Sequence, residues 1–120
     1  MEGTRHRHER VAEEILHEVS GMLAGELKDP RVVGLLTVME VRISPDLKHA
    51  RVYIGAYGTD AERASTRKGL DAAAGYVRRE LTLRLQMRRA PEIHFMVETA
   101  GAQAERIDEL LRKAQDPAGT

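Results

Sequence analysis

Cysteine and tryptophan are both absent from this 120-residue chain, and only Tyr53, Tyr57, Tyr76 and Phe95 are aromatic. Without cysteine there is no disulfide framework and no thiolate metal site, which fits a reducing compartment. So few aromatics argue against a module that reads single-stranded RNA by stacking bases on aromatic platforms. No apolar run approaches the roughly 20 residues needed to cross a bilayer. The opening MEGTRHRHER is polar, with no apolar signal segment behind it, so the expected compartment is the cytoplasm. Net charge is missing too, because 19 Lys and Arg balance 19 Asp and Glu. A chain of this length makes one domain that can bury a core without covalent or metal staples.

What is present is positive charge gathered in one place. Between residues 76 and 90 stand Arg78, Arg79, Arg84, Arg88 and Arg89 against a single acid, Glu80. A neutral protein with such a segment has an electrostatic face, and polyanions are its obvious partner.

Along the chain, Val11, Ile15, Leu16, Val19, Met22, Leu23 and Leu27 make the stripe of an amphipathic helix. Gly21 and Gly25 either weaken that helix or mark close approach to a sheet. Lys28-Asp29-Pro30-Arg31 ends it, since the residue before proline is pushed out of helical geometry. Two alternating runs follow. Leu35, Thr37, Met39, Val41 and Ile43 share one face opposite Glu40 and Arg42, and Ala50, Val52, Ile54 and Ala56 oppose Arg51, Tyr53 and Tyr57. Joined by the turn at 45–49, they predict an antiparallel hairpin.

Thr59 and Glu62 have capping-box spacing, so a helix over about 60–74 follows. Ala73-Ala74-Gly75 predicts a break or kink there, because glycine is costly inside a helix. Leu81, Leu83, Leu85 and Met87 fit either a helix or a strand. The reading taken is helix to about 85, an extended approach to Pro91, and a strand over 92–98 with Ile93, Phe95 and Val97 on the core. A last helix over 103–115 carries Ala104, Ile107, Leu110, Leu111 and Ala114 on its packing side, with an Asp108–Arg112 ion pair. The fold class is α+β, ordered α-β-β-α-kink-α-β with a C-terminal helix, and helices cover one face of a three-stranded sheet. Residues 1–9 are expected to be a flexible basic arm, 10–114 one domain, and 115–120 a frayed tail.

That order resembles a type II KH domain, whose middle helices are normally joined by a GxxG clamp for nucleic-acid backbone. Here the junction is Ala73-Ala74-Gly75 instead. With Arg10-Val11-Ala12-Glu13-Glu14-Ile15, Glu26-Leu27-Lys28-Asp29-Pro30-Arg31, Ser44-Pro45-Asp46-Leu47-Lys48-His49-Ala50, Tyr76-Val77-Arg78 and Pro91-Glu92-Ile93-His94-Phe95 in order, the chain resembles the bacterial ribosome-binding factor A family. The resemblance implies a KH-like, non-catalytic factor that binds the small ribosomal subunit and assists maturation of the 5′ part of its rRNA. It also implies a role in growth at low temperature and release involving a GTPase. Two departures stand out: Ala100 and Ala104 replace residues that are often small and polar or glycine, and the basic tail of some members is missing.

The residues expected to touch RNA are the five arginines, the Ala73-Ala74-Gly75 junction, the arm residues Arg5, Arg7 and Arg10, and the outlying cations Lys28, Arg31, Arg42, Lys48, Arg51 and Lys68. Arg78 and Arg79 stand just after the expected break, where a helix N-terminus disfavours cations unless an anion joins them. The literal GxxG at Gly55–Gly58 closes a strand and is misplaced for a clamp. His6 and His8 lack a third metal ligand nearby, and His17, His49 and His94 are scattered with no catalytic partner in sequence. Neither an enzyme nor a cofactor is expected, and the protein should be a monomer. The competing reading is a protein–protein module whose arginines only solubilise it. Salt separates the two, because phosphate binding weakens steeply with salt and apolar docking does not.

Overall fold

Alternating strands and two long amphipathic helices assemble in the order α-β-β-α-β in the computed structural model, which describes residues 2–101 and 108–112. The elements are α1 (Glu2–Gly25), β1 (Leu36–Ile43), β2 (His49–Ala56), α2 (Asp60–Arg84) and β3 (Glu92–Thr99). The sheet runs β1-β2-β3, with β1 antiparallel to β2 and β2 parallel to β3. Because parallel neighbours need a crossover, α2 carries the chain from the end of β2 back to the start of β3. Both helices lie on one face. There Ile15, Val19 and Met22 of α1 and Leu70, Val77 and Leu81 of α2 bury against Val41, Ala50, Val52, Ile54, Ile93 and Phe95. Among the described residues, no helix is long and apolar enough to cross a membrane.

The inward half of the alternation expected for β2 holds, with Ala50, Val52, Ile54 and Ala56 buried; of the residues expected opposite, Arg51 and Tyr57 are exposed, but Tyr53 is buried, with the Arg42 guanidinium over its ring. In β1 the alternation holds for only half the strand. The register slips between Val38 and Glu40, so Met39 is an extra residue in a β-bulge. A bulge inverts side-chain parity across itself. Leu36 and Val38 therefore pack on the core before it, and Val41 and Ile43 after it. Leu35 and Thr37, expected on the core face, are exposed.

Asp60–Arg84 is one uninterrupted helix, so Ala73-Ala74-Gly75 does not divide it into two. A Cβ built on Gly75 would meet nothing within 4 Å, so no close packing demands glycine there. The same is true of Gly21 and Gly25, which removes close approach to the sheet as their explanation. Gly69 differs, because its Cβ would lie 2.7 Å from Val32 Cγ2. At that point the 29–33 loop presses on α2, held by Ser65 Oγ donating to Arg31 O and by Thr66 bonding both backbone groups of Val33. The capping box forms, with Glu62 N donating to Thr59 Oγ1 and Thr59 N to Glu62 Oε1.

α2 ends where helical and extended periodicities compete. Gln86 N donates to Leu83 O and Met87 N to Thr82 O, with Gln86 at a positive φ of 51°. This is a Schellman end, usually signalled by glycine at the left-handed position. Glutamine sits there instead, which is why the sequence carries no plain stop signal.

α1 starts at Glu2 and thus continues through most of the stretch set apart as an arm. Of the expected last helix, 108–112 are helical and all five are exposed, including Leu110 and Leu111; no Asp108–Arg112 ion pair forms among the described residues. The packing role expected of Leu110 and Leu111 is therefore not seen, and Ala104, Ile107 and Ala114 lie outside the described residues.

Candidate nucleic-acid interface

The turn after α2 is tied down before it presents any charge. Arg78 Nε donates to Ala90 O at 3.0 Å, Thr82 Oγ1 donates to Arg78 O at 3.0 Å, and Ala90 N donates to Thr82 Oγ1 at 3.1 Å. These bonds pin the far end of the 85–90 turn to the helix it left. Arg88 and Arg89 project from the pinned turn, exposed and without an ion pair or side-chain hydrogen bond among the described residues.

The hairpin turn between β1 and β2 meets Arg89. Asp46 Oδ1 accepts from Ser44 Oγ and Lys48 N, Ser44 Oγ accepts from His49 N, and Glu92 N donates to Lys48 O. Lys48, His49, Arg78 and Arg89 then line one open depression of about 400 Å³, together with Asp46 and Glu92. A neighbouring depression of about 350 Å³ is lined by Arg42, Ile43, Ser44, Pro45, His49 and Arg51. His49 belongs to both. Strand register extends this cationic end across the sheet face opposite α1 and α2, because Arg42 pairs with Arg51 and Arg51 with His94.

Several other arginines are engaged by nearby carboxylates. Arg84 reaches Glu26 at 2.5 Å, Glu80 at 3.0 Å and Glu18 at 3.5 Å, so three carboxylates offset one cation and tie α2 to α1. Hydrogen bonding to Glu26 above all holds the Arg84 guanidinium in its charged form, and in return the Glu26 carboxyl is held below its ordinary range. Tyr76 donates to the same Glu26 at 3.2 Å. Arg31 is forked onto Asp29, whose carboxyl those hydrogen bonds pull down to about 2. Arg42 bonds Glu40 at 2.8 Å and stacks 5.4 Å from the Tyr53 ring centroid. Arg10 approaches Glu14 at 3.6 Å.

Lys48, Arg51, Arg79, Arg88 and Arg89 are left exposed, with no ion pair among the described residues. Arg7, Lys28 and Lys68 are exposed and, among the described residues, unpaired as well, but stand apart. Lys68, beside Arg63, Arg67 and Val97, is about 15 Å along α2 from Arg78. Nothing is described of the Arg5 side chain. Ala73 and Ala74 are half-buried and Gly75 is exposed on the helix surface. Since α2 is continuous, Arg78 and Arg79 lie towards its C-terminal end, far from its N-terminus at Asp60, and the helix N-terminus argument for an anion beside them does not apply. The GxxG at Gly55–Gly58 closes β2 and turns at Gly58, whose φ is +120°.

Two features escaped the sequence. Glu18 and Glu26, which offset Arg84, precede it by 66 and 58 residues. His49 and His94 are not scattered: their rings meet with Nδ1 and Nε2 3.0 Å apart. Only the parallel register of β2 and β3 could have announced that.

Comparison with known proteins gives one consistent family. The family model described as Ribosome-binding factor A matches residues 7–111. The chain is 44% identical over 119 residues to a protein of that name from Anaeromyxobacter dehalogenans (strain 2CP-C), covering 96% of this chain and 86% of that one. It is similar to the crystal structure of ribosome-binding factor A from Thermus thermophilus, with TM-score 0.64 and 27% identity over 75% of this chain and 94% of the other. It is also similar to Thermus thermophilus coordinates fitted into a cryo-EM map of a 30S complex of the same factor, with TM-score 0.52 and 30% identity over 69% and 90% of the two chains.

Proposed function

The chain belongs to the ribosome-binding factor A family, and from that premise we propose that it binds the small ribosomal subunit and its 16S rRNA as an assembly factor. The observation that carries this reading is the similarity to coordinates placed in a 30S complex. The unpaired cations at one end of the fold support it chemically. Lys48, Arg51, Arg88 and Arg89 meet solvent from three separate elements, which suits the backbone of a folded RNA better than base reading with so few aromatics. Arg79 and the open surface at Gly75 extend the contact along α2.

The factor acts without a reaction of its own, by binding one arrangement of the rRNA more tightly than its competitors. Differential affinity of that kind shifts the population toward the favoured arrangement. It thereby assists maturation of the 5′ end of 16S rRNA, with the greatest effect at low temperature, where misfolded RNA escapes slowly. It works as a cytoplasmic monomer and leaves through an assembly GTPase.

Co-sedimentation of the purified protein with small subunits across a salt series, with large subunits as control, tests the reading. Salt-sensitive binding to small subunits alone is expected. No binding to mature or precursor small subunits at low salt would overturn it. For the maturation step, cells lacking the protein should accumulate 5′-extended 16S precursor at reduced temperature, and normal processing there would contradict that step.

A further inference from the structure

His49 opens β2 and Glu92 opens β3, and the parallel register pairs them directly. Two residues on, His94 lies beside Arg51, so the period-two alternation of strands puts His49, Glu92 and His94 on one face, the side opposite α1 and α2. Their ligand atoms all lie within 4.8 Å of one another. His49 Nδ1 is 3.0 Å from His94 Nε2 and 3.8 Å from Glu92 Oε2, and the ring centroids are 5.2 Å apart at 34°.

We propose that His49, Glu92 and His94 form a binding site for a divalent transition-metal cation of the zinc class. Two imidazoles and one carboxylate are a donor set that such cations accept, and Mg²⁺, which prefers oxygen ligands throughout, does not favour it. In a tetrahedral zinc site, neighbouring donors stand about 3.3 Å apart. The two shortest separations here bracket that spacing. The ladder fixes all three Cα positions in advance, and the His49 and Glu92 side chains are 52% and 56% exposed, free to close by rotamer changes alone. Loading needs His49 with its proton on Nε2 and His94 with its proton on Nδ1, so that the facing nitrogens both offer lone pairs. The outward side stays open to water or an anion, and Lys48 and Arg51 stand next to it in sequence and register. The site lies at the edge of the surface proposed to meet RNA, but it does not rest on that reading, and its test uses the metal alone.

The experiment is equilibrium dialysis of the tag-free full chain against ZnCl₂, with Co²⁺ absorption reporting coordination geometry. About one equivalent should bind, with visible Co²⁺ bands of tetrahedral intensity. His49→Ala or His94→Ala should weaken binding by at least about tenfold, and Glu92→Gln by a smaller factor. His49 and Glu92 are exposed and His94 is half-buried, and an unchanged thermal transition would verify that the variants fold. A control carrying His6→Ala, His8→Ala and His17→Ala should bind as well as the parent. The proposal is overturned by absence of saturable binding, by binding that survives in His49→Ala and His94→Ala, or by binding lost in the control.

Discussion

Arg84 and the Arg88–Arg89 pair are neighbours in sequence and opposites in circumstance. Arg84 is surrounded by Glu18, Glu26 and Glu80 and serves to hold α1 against α2. Arg88 and Arg89 stand on a turn whose end is pinned by Arg78 and Thr82, and no described carboxylate pairs with them. A run of arginines in a sequence is therefore not yet a cationic surface. Acids that arrive from distant positions decide which charges remain available to phosphate. The balance of the whole chain, 19 cations against 19 anions, conceals that division.

The largest effect should come from inverting the unpaired side. Arg88→Glu with Arg89→Glu should lower small-subunit affinity by about 100-fold at low salt, since two favourable phosphate contacts become repulsive. Arg84→Ala should leave that affinity within about threefold while lowering the thermal midpoint. Equal losses in binding assays of the two variants would break the comparison.

Arg78 sits between these classes, because its guanidinium holds the Ala90 carbonyl and also lines the depression beside Arg89. Arg78→Ala should cost about 1.5–3 kcal/mol in urea unfolding and also weaken binding, by releasing the turn that carries Arg88 and Arg89.

Gly75→Ala should raise stability by roughly 0.5–1 kcal/mol, since α2 is continuous there and the added methyl meets open space. If the sugar-phosphate chain approaches Gly75, the same variant binds the subunit more weakly while being more stable. Unchanged affinity would confine the interface to the Lys48–Arg89 end.

The smallest effect is expected from pH. Hydrogen bonds from Arg84 lower the Glu26 carboxyl from its ordinary value of 4.5, and those from Arg31 lower Asp29 from 3.8 to about 2. Both groups favour the folded state fully above their unfolded values, and that contribution fades as pH falls from about 4.5 towards 2. Thermal midpoints should decline over that window. Arg84→Leu should remove the Glu26 share of the decline and leave the Asp29 share, so an unchanged acid profile in that variant would argue against the Arg84 cluster.

Much of the scaffold was legible because local rules agreed with the fold. The inward residues of β2, the Thr59–Glu62 cap and β3 from residue 92 all follow from spacing within a few residues. The β1 bulge was not legible, since Met39 looks like any other member of an alternating run until pairing with β2 forces the slip. Ala73-Ala74-Gly75 misled for the opposite reason. A glycine's helix cost is real, but neighbours packed through Leu70, Val77 and Leu81 outweigh it. Pairing of Arg84 with Glu18 and Glu26, and of His49 with His94, depends on tertiary approach and on parallel register, which no local pattern encodes.

The most direct test is the salt dependence of small-subunit affinity for the parent, for Arg88→Ala with Arg89→Ala, and for Arg84→Ala. Each phosphate contact removed should flatten the logarithmic slope by about one unit. The account predicts a loss of about two units for the double variant and none for Arg84→Ala. A slope that flattens as much for Arg84→Ala, or one unchanged in the double variant, would contradict the claim that the unpaired end of the arginine segment meets the RNA.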